Sequence, residues 1–300
     1  MRVLGFMSGT SLDAVDMAVL ETDGEAILGF GPAGERKLTP ETRAVVLRAT
    51  EEAKGWARGT PEPAVFADAA RAVAEEHLAA ARAFMAANGI EARDLDLVGF
   101  HGQTVLHERP TAERNGRTVQ LGDGGLLAQG LGLPVAFDFR TADVAAGGEG
   151  APLAPIYHAA RARFSGLEPP VAVLNLGGVA NITLIPSSGE MLAYDTGPAN
   201  GMIDLWVQAK TDHRFDPDGR FAAAGRVDGA ALAELLAHPY FTAPGPKSLD
   251  RYDFPLTPVE RLSLEDGAAT LTAFTAETVA LAVRGAAEPP KVLIASGGAA

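Results

Sequence analysis

The hydrophobic and polar positions of this chain alternate between the spacing of strands and the spacing of helices. An apolar run at 3–6 stops at a polar stretch, 8–11, and alternation resumes over 15–19, which predicts a strand, a turn and a second strand. The same order recurs at 171–185 (VAVLNLGGVANITLI), and KVLIASGG at 291–298 predicts a strand that runs into glycines. Two matching units indicate two related domains, each offering a turn to one ligand.

Between these strands, longer segments have the period and end signals of helices. The predicted helices are 39–52, 62–88, 124–129, 153–164 and 265–284. LDLVGFHGQTVLH (95–107) predicts a strand that opens into a polar loop, and 239–253 predicts a surface loop. Strands alternating with helices favour an α/β protein with a parallel or mixed sheet. The Gly- and Ala-rich stretch 141–152 predicts the crossing between domains, which we place at 1–150 and 151–300.

Length and charge narrow the class of protein. Three hundred residues with 47% apolar and 21% charged residues predict a globular protein of two domains. A net charge of −13 argues against a nucleic acid or an anionic membrane as partner. The absence of cysteine excludes disulfides and thiolate sites. Because we find neither a signal peptide nor a membrane-spanning run, we expect a cytoplasmic protein.

The first turn has the composition of a phosphate-binding loop. Small hydroxyl residues and backbone N–H groups in one concave turn hold phosphate oxygens without a basic side chain. Asp13 and Asp16 are close enough along the chain to help hold a hydrated Mg²⁺ beside those phosphates. The alternative is an ordinary hairpin turn, which uses the same residue types.

Asp195 is the candidate general base. It follows the apolar segment 191–194 and precedes a turn predicted at 196–200, so its carboxylate is expected at a strand end, where it can take a proton from water or a hydroxyl. The alternative is that Asp195 caps the turn or the helix predicted from about Gly201.

Polar side chains in the loop part of the segment 95–107, and one further along the chain, are candidates for binding the substrate. Gln103 and Thr104 suit sugar hydroxyls or an amide, and Arg140 suits an anionic group such as a carboxylate. A salt bridge from Arg140 to Asp138 or Asp143 is the alternative. His101 and His107 lack the spacing of a metal-binding helical pair, so we expect them to form hydrogen bonds in a loop.

Five motifs together resemble the anhydro-N-acetylmuramic acid kinase family, in the same order along nearly the whole chain. They are GFMSGTSLDAVD (5–16), FHGQT (100–104), the segment from LGDGG to GAPLAP (121–155), NLGGVANIT (175–183) and YDTGPAN (194–200). The resemblance implies a two-domain actin/Hsp70/hexokinase-like (ribonuclease H-like) α/β fold with an interdomain ATP cleft. It also implies that 1,6-anhydro-N-acetylmuramic acid, ATP and water give N-acetylmuramic acid 6-phosphate and ADP, during peptidoglycan recycling in the cytoplasm.

The resemblance assigns roles to individual residues. Asp195 matches the catalytic base, and Gln103, Thr104 and Arg140 are expected to contact the amino sugar. A homodimer and the cofactors ATP and Mg²⁺ are implied as well. The residues expected to bind ATP are Gly9, Thr10, Ser11, Leu12, Asp13, Ala14, Val15, Asp16, Gly177, Gly178, Gly297 and Gly298.

The chain departs from the family pattern at three places. Position 14 is Ala where the family has Gly, which would be strained if the backbone there needs a positive φ. Glu149 stands where Gln is common. The chain ends inside what resembles the adenosine-binding glycine motif at 296–300, whereas family members continue, so the resemblance implies a chain shortened at its C-terminus. A nucleotide-binding protein without catalysis, and a sugar or acid kinase that uses no water, remain the alternatives.

Overall fold

A computed structural model describes residues 1–9, 12–111, 113–243, 247, 249 and 253–298. The chain divides into two compact units, Met1–Leu153 and Ala154–Ala300. Within the described ranges, none of the helices combines the length and the apolar character that crossing a membrane requires.

The described residues of the first unit form seven strands and four α-helices. The strands are β1 (Arg2–Met7), β2 (Ala14–Thr22), β3 (Ile27–Lys37), β4 (Leu97–Phe100), β5 (Gln103–Glu108), β6 (Arg117–Leu121) and β7 (Val135–Phe137). The helices are α1 (Pro40–Gly55), α2 (Val65–Ala87), α3 (Gly124–Leu131) and α4 (Thr141–Ala145). Five strands form a sheet in the order β3-β2-β1-β4-β7, while β5 and β6 pair separately. The first three strands of the sheet are antiparallel, and β4 and β7 run parallel to β1.

Local sequence explains why these elements form. Along β2, the buried residues Val15, Met17 and Val19 alternate with exposed ones, so one face of the strand joins the core. Helix α1 begins after Thr39, whose side chain accepts a hydrogen bond from the Thr42 N–H. These signals depend on near neighbours in the sequence, which is why the periodicity predicts the elements.

In the second unit, four strands and five α-helices lie within the part of the chain that the structure describes. The strands are β8 (Val171–Leu176), β9 (Val179–Ile185), β10 (Leu192–Pro198) and β11 (Val292–Gly297). The helices are α5 (Ala154–Phe164), α6 (Asn200–Lys210), α7 (Arg220–Ala224), α8 (Gly229–Leu236) and α9 (Leu264–Arg284). The sheet order is β10-β9-β8-β11, with β8, β9 and β10 antiparallel and β11 parallel to β8.

The two sheets share one plan. In each, a strand pairs antiparallel with the strand that follows it and parallel with a much later one, so β8, β9, β10 and β11 repeat β1, β2, β3 and β4. The predicted α/β class is confirmed, and the repeated mixed sheet agrees with the ribonuclease H-like fold that the resemblance implies.

Some segments differ from the predicted elements, among them 95–107 and 141–152. The strand predicted at 95–107 is two strands of different sheets, divided at His101-Gly102. Gly102 has φ +71°, and a Cβ there would lie 2.7 Å from the Leu121 carbonyl oxygen, so the chain turns at this glycine. The stretch 141–152, predicted to be irregular, begins with α4.

Candidate functional site

The turn between β1 and β2 carries the first group of predicted nucleotide-binding residues. Thr10 and Ser11 lie outside the described residues. The Leu12 N–H donates to the Gly9 carbonyl oxygen at 3.2 Å, and Leu12 has φ +53°. Ala14 belongs to β2 and is not among the described residues with positive φ, so the backbone strain considered for position 14 does not occur. Leu12 is the residue that adopts the left-handed conformation.

Not every residue of this turn can touch a ligand through its side chain. Leu12 is 4% exposed and Val15 is fully buried, and both belong to the core of the first unit. If they contribute to ligand binding, they do so through the backbone. The Ser8 hydroxyl is also buried and has no hydrogen-bond partner within the described part of the chain.

Asp13 and Asp16 stand at the beginning of β2. Asp16 lies opposite Glu35 of β3, and Asp13 accepts a hydrogen bond from the Ala14 N–H at 3.0 Å. Burial, together with the negative charges of Glu35 and Asp13, raises the pKa of Asp16. Two carboxylates this close along the chain supply oxygen ligands that suit a divalent cation held partly through water. Among the described residues there is no cluster of three or more His, Asp or Glu side chains that could hold a metal.

The β5 strand brings Gln103 and Thr104 near the first turn. Gln103 is only 2% exposed, and its side-chain N–H donates to the Gly9 carbonyl oxygen at 3.3 Å. Thr104 is half-buried in the adjacent position of β5. The hydrogen bond from Gln103 to Gly9 therefore stabilises the conformation of the first turn.

Arg140 is held by hydrogen bonds at the end of the β7 segment. Its Nε and Nη2 donate to Nε2 of His101 at 3.0 and 2.9 Å, and its Nη1 donates to the Gly150 carbonyl oxygen at 2.7 Å. Nε2 of His101 must therefore be an acceptor, so Nδ1 carries the hydrogen and donates to the Gly102 carbonyl oxygen at 2.9 Å. Burial and the nearby Arg140 charge lower the pKa of His101, which agrees with a neutral imidazole.

The alternative salt bridges of Arg140 are not formed. In the part of the chain that the structure describes, neither Asp138 nor Asp143 pairs with Arg140. Asp143 instead accepts a hydrogen bond from the Gly150 N–H at 2.7 Å. Arg140 thus binds the carbonyl of Gly150 and Asp143 binds its N–H, so the two side chains hold the same loop residue.

In the second unit, the glycine turn after β8 packs against the start of α6. The Gly177 carbonyl accepts from the Asn200 N–H at 3.0 Å, and the Gly178 carbonyl accepts from the Gly201 N–H at 3.1 Å. A Cβ at Gly201 would lie 2.9 Å from the Gly178 oxygen, so this close approach depends on a glycine. The Asn200 side chain donates to the Leu176 carbonyl oxygen at 2.8 Å.

The end of β11 lies beside the end of β8, where the glycine turn begins. Gly297 has φ +104°, and a Cβ there would lie 2.5 Å from the Leu176 carbonyl oxygen. Gly298 follows directly, and a Cβ on this residue would lie close to the Asn200 side chain. The predicted residues Gly177, Gly178, Gly297 and Gly298 are therefore gathered at one end of the β8–β11 pair.

A cavity of about 1140 Å³ opens beside these glycines, within the second unit. Its lining includes Asn200 and Gly298, the small side chains of Ala273 and Ala276 on α9, and Phe215. Phe215 is 56% exposed, so it presents an aromatic face that the core does not use. Small-molecule sites usually measure roughly 300–1,000 Å³ and combine apolar walls with a few polar groups, and this cavity has that character.

Asp195 lies within β10, which continues to Pro198, so the strand end at Asp195 and the turn predicted at 196–200 are not observed. Nor does Asp195 stand at a helix start. The capping alternative is wrong, because α6 begins at Asn200 after Ala199. The β9–β10 register shifts between Asp195 and Gly197, which marks a bulge of the kind that redirects side chains at functional sites. One carboxylate oxygen of Asp195, Oδ2, accepts a hydrogen bond from the Leu249 N–H at 2.8 Å.

Several residues of these sites were not predicted from the sequence. His101 was expected only to form loop hydrogen bonds, and Asn200, Phe215 and Leu249 were not singled out. The contacts of Leu249 and His101 join segments 54 and 39 residues apart. No local pattern signals such pairs, although Asn200 stands at the end of a motif that was recognised.

Comparison with known proteins identifies the relatives of this chain. The family model described as "Anhydro-N-acetylmuramic acid kinase" matches residues 1–300. Proteins named anhydro-N-acetylmuramic acid kinase from Caulobacter vibrioides and Phenylobacterium zucineum are each 66% identical to the chain over 298 residues, which is 99% of it. The one from Methylobacterium nodulans is 51% identical over 310 residues. The chain covers 80%, 81% and 82% of the lengths of these three relatives.

Proposed function

Because the chain belongs to the anhydro-N-acetylmuramic acid kinase family, we propose that it uses ATP to phosphorylate 1,6-anhydro-N-acetylmuramic acid. Water opens the 1,6-anhydro bridge, and the products are N-acetylmuramic acid 6-phosphate and ADP. The observation that carries this proposal is the placement of Asp195, which stands at a bulge in β10 with Oδ2 held by a backbone N–H. A carboxylate oriented in this way suits a general base.

The proposed reaction needs one general base. Asp195 takes a proton from water while the water oxygen forms a bond to the anomeric carbon C1. The C1–O6 bond breaks, and its electron pair stays on O6. The O6 oxygen then attacks the γ-phosphorus of ATP, and the bond to the β-phosphate oxygen breaks to release ADP. Opening the bridge thus produces the nucleophile without a separate base for O6.

The nucleotide is assigned to two groups of residues, one in each unit. We assign the nucleoside to the cavity of the second unit, where Phe215 offers a face for stacking and Asn200 and Gly298 offer polar atoms. We assign phosphate binding to residues 9–16 of the first turn. The carboxylates of Asp13 and Asp16 supply oxygen ligands of the kind that a hydrated Mg²⁺ prefers. When bound, Mg²⁺ stabilises charge on the transferred phosphoryl group.

The amino sugar is assigned to side chains of the first unit. Arg140 keeps N–H groups beyond those that bind His101 and Gly150, and these suit a carboxylate on the substrate. Thr104 supplies a hydroxyl that can exchange hydrogen bonds with the sugar. Gln103 acts through the Gly9 carbonyl, so it joins the sugar-binding strand to the phosphate-binding turn.

The family also indicates the setting of the reaction. We propose that the protein works in the cytoplasm, where it recycles peptidoglycan fragments, and that it forms a homodimer. Size-exclusion chromatography with light scattering tests the dimer.

The experiment that tests the proposed function follows the water oxygen. The protein is incubated with ATP, Mg²⁺ and 1,6-anhydro-N-acetylmuramic acid in ¹⁸O-labelled water, and the product is analysed by mass spectrometry. We expect a phosphorylated sugar that carries one solvent oxygen at C1. Asp195→Asn should lower the rate by about 10³-fold or more, since a general base typically contributes 10²–10⁴-fold and the water here is poorly nucleophilic. Asp212→Asn, an exposed position in the same unit, is the control.

The other outcomes discriminate between the alternatives. Phosphorylated product without label would indicate a sugar kinase that uses no water. Binding of ATP and sugar without product would indicate a nucleotide-binding protein without catalysis. Full activity of Asp195→Asn would show that Asp195 is not the base.

A further inference from the structure

One segment of the second unit contacts Asp195 through three separate hydrogen bonds. The Tyr240 hydroxyl donates to the backbone carbonyl of Asp195, and the Asp195 N–H donates to the Lys247 carbonyl oxygen at 3.0 Å. The Leu249 N–H donates to Oδ2 of Asp195 at 2.8 Å. Both the main chain and the carboxylate of Asp195 are therefore bound to Tyr240, Lys247 and Leu249.

The position of β10 explains why this segment is needed. β10 is an edge strand of its sheet, and β9 is its only neighbour in the sheet order of the described residues. Asp195 lies opposite Asn181 of β9, but its C=O accepts from the Tyr240 hydroxyl and its N–H donates to the Lys247 carbonyl oxygen. The bulge after Asp195 interrupts the ladder to β9 at the next residue. The sheet alone therefore leaves the outer side of Asp195 to be fixed by another element.

Tyr240 is itself held in place. Its ring lies 5.6 Å from the ring of Phe241 and 6.4 Å from that of Phe254, both edge-on. Nζ of Lys247 lies 4.5 Å from the centre of the Tyr240 ring and donates to the Tyr240 carbonyl oxygen at 2.7 Å. It also donates to the Ala243 carbonyl oxygen at 3.0 Å. Aromatic packing and the Lys247 ammonium group restrict the position of the Tyr240 phenol. The phenol can therefore restrict the position of β10, to which it is hydrogen-bonded.

We propose that Tyr240 and the backbone of Lys247 and Leu249 are positioning groups that aim the Asp195 carboxylate at its substrate. The proposal rests on the proposed function of Asp195 as general base. The Leu249 N–H fixes the rotation of the carboxylate, and Tyr240 and Lys247 fix the strand from which it projects. An N–H that donates to a carboxylate also favours the ionised form, which is the form that a general base needs.

The groups that face β10 from β9 and α9 are uncharged at the contacts that the structure describes. Strand β9 consists of uncharged residues, and α9 faces β10 with the hydroxyls of Thr275 and Thr278. Among the described residues that bond to Asp195, Lys247 carries a charge, and its ammonium group donates to the carbonyl oxygens of Tyr240 and Ala243.

The test removes single hydrogen bonds and follows the dependence of kcat/KM on pH. Leu249→Pro deletes the N–H donor to Oδ2, whereas Leu249→Ala deletes the side chain and keeps the N–H. We expect Leu249→Pro to lower kcat by about tenfold and to move the acidic limb of the profile to higher pH by about half a unit or more. Leu249→Ala should keep the wild-type position of that limb, whatever its effect on the rate.

Tyr240→Phe is the second, milder variant, because it removes only the hydroxyl and keeps the ring in its aromatic packing. We expect kcat with the anhydro-sugar to fall about three- to tenfold while KM for ATP stays unchanged, since misplacing a base affects the chemical step. Tyr157→Phe, at an exposed tyrosine of the same unit, is the matched control. If Leu249→Pro loses its near-UV circular dichroism, Tyr240→Phe alone decides the question.

The results separate this proposal from the one on which it rests. If Asp195→Asn is inactive but Tyr240→Phe and Leu249→Pro keep the wild-type kcat and pH profile, the positioning role is wrong and the base assignment stands. If Asp195→Asn keeps full activity, the base assignment fails first. A loss of kcat in both variants with a shifted acidic limb in Leu249→Pro supports the positioning role.

Discussion

At the scale of single residues, His77 links the stability of the first unit to pH. The side chain lies on α2, is 2% exposed, and packs edge-on against Phe6 and Phe100. Burial lowers its pKa to about 4, although the hydrogen bond from Nδ1 to the Val73 carbonyl opposes the shift. Because the unfolded chain binds the proton at higher pH, this contribution to stability is complete above pH 6.5 and is lost as the pH falls towards about 4.

We therefore expect acidification to destabilise the first unit through His77. A pKa difference of this size corresponds to about 3 kcal/mol in the free energy of unfolding. His77→Phe keeps an aromatic ring and removes the titration, so its stability relative to the wild type should improve by about 3 kcal/mol between neutral pH and about pH 4. Denaturant unfolding of both proteins at the two pH values measures this. An equal loss of stability in both proteins would contradict the prediction.

The residue scale also shows what motif matching could and could not predict. The matched motifs directed attention to the turn at 9–16, but the position at which the sequence departs from the family, Ala14, is not the strained one. The positive φ belongs to Leu12, a residue whose type gives no sign of it. Backbone conformation at a turn depends on how the flanking strands pair, and that pairing is fixed by residues far along the chain.

At the scale of elements, local sequence signals were sufficient to predict some helices close to their observed bounds. Helices predicted at 39–52 and 265–284 are observed as Pro40–Gly55 and Leu264–Arg284, since capping residues and the helical period lie within the segments themselves. The predicted strand at 95–107 was divided by Gly102, because the constraint there is the carbonyl of Leu121 in another strand. The hydrogen bonds from Arg140 to His101 were not predicted for the same reason, since they join separate elements.

Helix α9 carries the prediction that belongs to this scale. Ala273 and Ala276 line the cavity of the second unit, and the small side chains leave the volume open. Ala273→Phe fills part of it, so we expect the Kd for ATP to rise at least about tenfold, as expected when a bulky group blocks a preformed pocket. Isothermal titration calorimetry measures the Kd. Ala280→Phe, a half-buried position on the same helix that does not line the cavity, is the matched control.

The two variants also separate blocking from misfolding. Both add the same side chain to α9, so a loss of helix stability would affect both, whereas a blocked cavity affects only Ala273→Phe. Far-UV circular dichroism and Tm should stay similar in the two proteins. Unchanged ATP binding by Ala273→Phe would show that the nucleoside does not occupy this cavity.

At the scale of the whole molecule, the charge and the proposed ligand have the same sign. The net charge is −13, and the groups assigned to phosphate are backbone N–H groups and small hydroxyl residues of a turn flanked by Asp13 and Asp16. Local donors of this kind bind an anion at short range, but they do not attract it from a distance. The long-range field therefore opposes the approach of a nucleotide, and salt screens that field with a Debye length of about 8–10 Å near physiological ionic strength.

We accordingly expect the association rate constant of the Mg²⁺–ATP complex to rise about two- to fivefold as KCl increases from about 10 to 200 mM, because screening weakens the repulsion. Stopped-flow measurements with a fluorescent ATP analogue give the rate constant. Adenosine carries no charge, so its association rate, obtained by competition, should not change over the same range. A rate constant for the ATP analogue that falls with salt would mean that a local positive field dominates, and Arg140 of the first unit would be the first group to replace by an uncharged residue.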